Sequence, residues 1–143
     1  MEAVILECGD FPKKEYPREL LRRADVIICC DRALDTFLRH RDKIFKDLRD
    51  PDAIIGDMDS ISPKHLKEYS RIAIREEEQE TNDQTKAFRY LLEHWPEVKT
   101  VHILGATGKR EAHTLGNLGQ IMEYARLYGA SGNPDEDRIY VDA

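Results

Sequence analysis

The chain has 143 residues, 41% hydrophobic and 35% charged, which fits one ordinary domain with a real core and a heavily charged surface. A formal net charge of −6 argues against general affinity for nucleic acid or an anionic membrane. No apolar run approaches the roughly 20 residues of a membrane span, and Met1 leads straight into strand-like sequence without a signal peptide, so the expected compartment is the cytoplasm.

Ala3-Val4-Ile5-Leu6 is a continuous apolar run, the pattern of a strand covered on both faces, and Cys8-Gly9-Asp10-Phe11-Pro12 breaks it. Residues 19–24 read as a short helix led by Pro17, and Asp25-Val26-Ile27-Ile28-Cys29-Cys30 repeats the buried-strand pattern, which completes a β-α-β unit. Cys8, Cys29 and Cys30 are odd in number, sit in or beside apolar runs and lack Cys-x-x-Cys spacing. They read as buried core thiols rather than disulfides or zinc ligands. Asp31 ends the second strand, and Leu34, Phe37, Leu38, Ile44 and Phe45 follow at near-helical intervals.

Arg49-Asp50-Pro51-Asp52 is a loop into the strand Ala53-Ile54-Ile55, after which come Gly56-Asp57-Met58-Asp59-Ser60. Ser62-Pro63 has the form of an N-cap followed by proline at the first helical position. Arg71-Ile72-Ala73-Ile74 alternates as a strand, and Glu76-Glu77-Glu78 is a solvated acidic loop. Thr81 and Gln84 have capping-box spacing, ahead of a helix with Ala87, Phe88, Leu91, Leu92 and Trp95 on one stripe and a stop at Pro96. Asp83 falls in its first turn, where the helix dipole favours negative charge.

Residues 98–104 make another strand, and Gly105-Ala106-Thr107-Gly108-Lys109-Arg110 is a glycine-containing basic loop. A helix burying Leu115, Leu118, Met122 and Ala125 follows, with Gly129 as its C-cap. Ser131-Gly132-Asn133-Pro134 is a connector, and Arg138-Ile139-Tyr140-Val141 a final strand. Strands alternate with helices throughout, so the expected fold is α/β and Rossmann-like, a mostly parallel sheet with helices on both faces. Ligands of such sheets bind beyond the carboxyl ends of the strands. Gly9, Asp10, Asp31, Asp57, Asp59 and the 105–110 loop all follow strands and converge on that edge.

Asp57 and Asp59, two residues apart at the end of a strand, repel each other unless a cation or a shared proton lies between them. Hard carboxylate oxygens suit Mg²⁺, which takes one or two protein carboxylates together with phosphate oxygens. Asp31, Asp57, Asp59 and Asp83 could be relieved by metal bridging to a polyphosphate, while the basic loop and the helix after it supply N–H groups, a guanidinium and a positive dipole end. The same residues also suit a plainer account, in which a turn rich in Asp, Ser and Gly carries a helix cap and Asp31 and Asp83 are simple caps or first-turn acids. The loop is no Walker A motif, since it lacks the spacing and the Ser or Thr after lysine. His113 reads equally as a helix-start residue, and His40, His65, His94 and His102 are dispersed and read as structural or surface residues.

Together these segments resemble the catalytic, nucleotide-binding domain of the thiamine pyrophosphokinases. The resemblance is carried by Gly9-Asp10-Phe11-Pro12, Asp31, Gly56-Asp57-Met58-Asp59-Ser60, Gln79 with Asp83 four residues later, and Gly108-Lys109-Arg110-Glu111-Ala112-His113 leading to Asn117. That family transfers a pyrophosphoryl group from ATP to the hydroxyl of thiamine, releasing AMP. The resemblance implies Mg²⁺ at Asp57, Asp59 and Asp83 with Asp31 close by, and Gly9, Asp10, Arg110 and His113 near the nucleotide or its phosphates. It places Gln79 near the acceptor alcohol, with Ser60, Gly108 and Asn117 in the same matched motifs, and gives Asp83 the hydroxyl proton to receive or orient. It further implies ATP and thiamine as partners and a homodimer.

Two departures accompany it. The family usually carries aspartate just before the His113 position, where this chain has Ala112, so metal or nucleotide handling is expected to be weaker. Family members also carry a C-terminal β-sandwich domain that helps form the thiamine pocket, and residues 1–143 read as the catalytic half without it. Two other readings fit the same residues: a pyrophosphotransferase with a different acceptor alcohol, and a non-catalytic nucleotide-binding or dimerisation module.

Overall fold

The protein is described here from a computed structural model, which describes residues 1–9, 11–76, 83–105, 130–131 and 139–142. Their elements run β1 (Glu2–Leu6), α1 (Glu15–Arg23), β2 (Val26–Cys30), α2 (Ala33–His40), β3 (Ala53–Gly56), α3 (Pro63–Glu68), β4 (Ala73–Arg75), α4 (Asp83–His94), β5 (Thr100–Leu104), β6 (Ala130–Ser131) and β7 (Ile139–Asp142). The strands form one sheet in the order β4-β3-β2-β1-β5-β7-β6. Every pairing is parallel.

The apolar runs follow directly from this arrangement. Alternate residues of each strand enter opposite layers. Ala3, Ile5, Val26, Ile28, Cys30, Ala53 and Ile55 pack with Ala87, Phe88 and Leu91 of α4 on one face. Val4, Leu6, Ile27, Cys29 and Ile54 pack with Leu21 of α1 and with Leu34 and Phe37 of α2 on the other. Helices therefore cover both faces, and neither face of the central strands meets water. None of the three cysteines is in a disulfide; Cys29 and Cys30 are buried and Cys8 is half-buried. Burial pushes the Cys29 thiol far above its ordinary range, which keeps it protonated and inert.

At the amino ends of the strands, aspartates lock the register. Asp25 accepts from the Glu2 N–H through Oδ2 at 2.8 Å, while its own N–H donates to the Glu2 carbonyl at 2.9 Å. Asp52 and Ile27 exchange the same reciprocal pair, both at 2.8 Å.

Several local expectations shift. Helix α1 begins at Glu15, ahead of Pro17, because a proline in the first turn gives up an N–H that has no helical partner there. The apolar stripe from Leu34 to Phe45 crosses two structures: α2 stops at His40 and a 3₁₀ turn, Arg41–Lys43, delivers Ile44 and Phe45 to the core. Ser62 stands at the N-cap of α3 but makes no side-chain cap bond. Its N–H instead donates to Asp35 Oδ2 of α2 at 3.0 Å. The Gln84 amide is buried, 1% exposed, and has no hydrogen-bond partner among the described residues. Thr81, the other half of the expected capping box, lies outside the described residues. Ser131, read as connector, belongs to the short edge strand β6. The helix expected after the basic loop also lies outside the described residues.

Candidate active site

The chain reverses direction across the sheet between β1 and β5. Strands β2, β3 and β4 extend to one side of β1, and β5 and β7 to the other. A reversal of this kind opens a crevice at the carboxyl ends, where open α/β sheets bind ligands. At that point Gly9 and Gly105 are joined by a hydrogen bond of 2.7 Å from the Gly9 N–H to the Gly105 carbonyl. Gly105 adopts φ 75°, a conformation open to glycine because it has no Cβ.

On the neighbouring strands the carboxyl ends carry the acids. Asp31 follows β2 with φ 48°, and its N–H extends the ladder to the Ile55 carbonyl at 2.8 Å. Its residue is only 8% exposed, so a carboxylate stands largely out of water at the rim. Asp57 and Asp59 follow β3 around Met58, which takes φ 71° and drives its side chain into the core at 4% exposure. The Asp59 N–H donates to Asp57 Oδ1 at 3.0 Å, closing a tight turn around the buried methionine. Asp57 is half-buried, while Asp59 and Ser60 face solvent.

Asp83 is the first residue of α4, the helix that packs across β2 and β3, so the backbone brings it to the same layer. Two ties brace this region that spacing alone did not single out. Lys86 is buried and donates from Nζ to the Glu76 carbonyl at 3.1 Å, joining α4 to the end of β4. Asp35 holds both the Ser62 N–H and His65 Nδ1, the latter at 2.5 Å, and so clamps α2 to the start of α3. The sequence signal for Lys86 is its place three residues after Asp83, one turn along the same helix. Asp35 carries no such signal, since its partners are 27 and 30 residues away. His65 is thereby structural, as its isolation in the sequence predicts.

Of the predicted site residues, Gly9, Asp31, Asp57, Asp59, Ser60 and the backbone of Asp83 are thus placed at the carboxyl ends of the strands or at the head of α4. Asp10, Gln79, Gly108, Arg110, His113 and Asn117 lie outside the described residues, as does Ala112. Among the described residues no group of three or more His, Cys, Asp or Glu side chains is arranged to hold a metal ion. The donor set there is one buried, one half-buried and one exposed carboxylate. That chemistry suits a hard cation completing its shell with phosphate oxygens and water rather than one caged by protein alone.

A parallel α/β sheet with acids at its carboxyl ends beside the direction reversal defines a class of ligand-handling α/β domains. The model of the thiamin pyrophosphokinase catalytic domain matches residues 17–128, and the chain belongs to that family. No curated protein matches the sequence. Among solved structures, the chain is similar to thiamin pyrophosphokinase from Candida albicans, with a TM-score of 0.67, 22% identity, and 88% of this chain and 55% of that one covered. It is likewise similar to yeast thiamin pyrophosphokinase, with a TM-score of 0.71 and 18% identity over 87% of this chain and 54% of that one. Against thiamine pyrophosphokinase from Bacillus subtilis the TM-score is 0.65 with 24% identity, covering 88% of this chain and 56% of that one. The chain therefore spans little more than half the length of each. Among the described residues, no helix is long and apolar enough to cross a membrane.

Proposed function

We propose that this chain is the nucleotide- and metal-binding half of an enzyme that moves a pyrophosphoryl group from ATP to thiamine, giving thiamine diphosphate and AMP. The observation that supports it most is the gathering of Asp31, Asp57 and Asp59 at the carboxyl ends of the adjacent strands β2 and β3, inside the family-matched residues. Asp57, Asp59 and Asp83, with Asp31 beside them, hold Mg²⁺ in this reading. When bound, Mg²⁺ supplies charge neutralisation to the phosphate oxygens of ATP.

The chain's own residues position and shield. The turn closed by the Asp59 N–H fixes the Asp57 carboxylate, and buried Met58 anchors that turn to the core. Gly9, Asp10, Ser60, Gly108, Arg110, His113 and Asn117 receive the nucleotide and its phosphates, and Gln79 serves the acceptor alcohol in this reading. The thiamine hydroxyl oxygen bonds to the β-phosphorus, the bond from that phosphorus to the bridging oxygen of the α-phosphate breaks, and AMP departs. Asp83 receives or orients the hydroxyl proton. The same reading has the chain work as a homodimer in the cytoplasm.

The test is AMP release from Mg-ATP with thiamine and with a panel of other alcohols. Thiamine-dependent release is expected, lowered at least about a hundredfold by Asp57→Asn, as for loss of a charge-stabilising group at a reacting centre. Release with another alcohol alone would move the acceptor assignment. ATP binding with no release, even when the remaining half of a family member is supplied, would favour a binding module instead.

A further inference from the structure

Helices α2 and α3 border a cleft of about 400 Å³, a size that takes a small ligand. It is lined by Asp35, Leu38 and Arg39 of α2 and by Ser62 and His65 at the start of α3. Positions 35, 38 and 39 follow the spacing of one helix face, and 62 and 65 are one turn apart, so each helix offers this cleft a single face.

Much of the polar capacity in the wall is unused by the protein. Its one carboxylate, Asp35, has both oxygens engaged, accepting from the Ser62 N–H at 3.0 Å and holding His65 Nδ1 at 2.5 Å. Arg39 makes no ion pair or hydrogen bond among the described residues. Arg41, two residues on, is by contrast bound to Asp50 at 2.7 Å and to the Tyr69 hydroxyl at 3.3 Å. The Ser62 hydroxyl makes no cap bond, and the structural tie of His65 uses Nδ1 alone. A carboxylate on Nδ1 makes that nitrogen the protonated one, so the neutral ring presents Nε2 as an acceptor. Leu38, packed against the core cluster of this face, adds an apolar wall.

An exposed arginine alone marks nothing. Here a guanidinium, a hydroxyl and an imidazole held in orientation by Asp35 border one concavity, and together they complement a carboxylate that stands beside a hydrogen-bond donor. The planar guanidinium fork matches a carboxylate, the Ser62 hydroxyl donates to it, and Nε2 accepts from the neighbouring donor. A single cation next to the Asp35 carboxylate disfavours a multiply charged anion such as phosphate.

We propose that the cleft between α2 and α3 binds a small 2-hydroxy- or 2-amino-carboxylate, with Arg39 and Ser62 on the carboxylate and His65 Nε2 on the adjacent hydroxyl or amine. The site uses none of the residues assigned to magnesium, ATP or thiamine, and it stands whether or not the chain transfers pyrophosphate.

The experiment is a titration of the full chain with lactate and with L-alanine at constant pH and ionic strength, followed through the His65 ring resonances. Propanoate, which lacks the donor, and inorganic phosphate are run beside them. Saturable shifts are expected, with affinity reduced about tenfold or more in Arg39→Gln, and reduced also in Ser62→Ala and for propanoate. Arg39 is exposed and the Ser62 hydroxyl makes no cap bond, so both variants should fold, and their melting curves check that. Binding of lactate alone assigns the donor as a hydroxyl, and binding of alanine alone as an amine. No saturable shift with either compound, shifts that Arg39→Gln leaves intact, or propanoate or phosphate binding as tightly would overturn the proposal.

Discussion

Met58 and Asp31 are the only non-glycine residues in the left-handed region among the described residues, and both sit immediately beyond strand ends. Such a conformation costs a residue with a Cβ on the order of 1 kcal/mol or more, and it persists where the surroundings fix it. At position 58 the fixing elements are the buried methionine side chain and the Asp59-to-Asp57 hydrogen bond. Met58→Ala and Met58→Gly both lose the buried side chain, but only glycine relaxes the backbone. Urea unfolding should therefore find Met58→Gly the more stable of the two by about 1 kcal/mol, although both fall below the parent. Equal stabilities, or alanine the better, would mean that the turn does not hold position 58 at positive φ. The paired aspartates were legible because a strand, a glycine and two acids are contiguous; the inward methionine was not, because spacing alone does not give the sign of φ.

His40 gives a pH dependence with a definite sign. Its folded-state proton affinity is lowered by burial and by Lys43, Arg39 and Arg18, against the opposing Asp42. As pH falls below the ordinary imidazole value of about 6.5, the unfolded chain takes up a proton that the folded chain still refuses. Stability contributed by the neutral ring is thus present above that value and is lost as pH falls toward the lowered folded value. Unfolding free energy measured from pH 7.5 to 5 should drop more steeply in the parent than in His40→Gln; parallel curves would sink this account.

At the scale of elements, the clamp between α2 and α3 matters more than the propensity of either helix. Helix α3 has six residues and no buried side chain, so little within it holds it in place. Asp35 supplies that hold through Ser62 and His65. A double-mutant cycle of Asp35→Ala with His65→Ala should show a coupling of about 0.5–3 kcal/mol. Additive effects would mean that the hydrogen bond is not maintained in solution. On the opposite face, Phe88 of α4 is fully buried against strands β1 to β3, and Phe88→Ala should cost about 3–5 kcal/mol in urea unfolding. The apolar stripe of α4 was readable from its 3.6-residue period. The α2–α3 clamp was not, because a hydrogen bond across some 30 residues leaves no periodic trace.

At the scale of the whole molecule, continuous apolar strands already implied a parallel sheet covered on both sides, and the two packing clusters on its faces are the physical form of that pattern. Strand order was less accessible. Nothing in the composition of β5 says that it pairs with β1 rather than with β4, yet that choice creates the reversal beside Gly9 and Gly105. A short edge strand such as β6, two residues long, has too little pattern to be read at all.

The central claim, that the acids beyond β2 and β3 bind a nucleotide through a divalent cation, is tested most directly by titrating the chain with a nonhydrolysable ATP analogue at fixed Mg²⁺ and again in EDTA, beside Asp57→Asn, Asp59→Asn. The account predicts a magnesium-dependent component of binding in the parent that disappears in the variant. A magnesium-dependent component of the same size in both proteins would contradict it and place the nucleotide site elsewhere on the molecule.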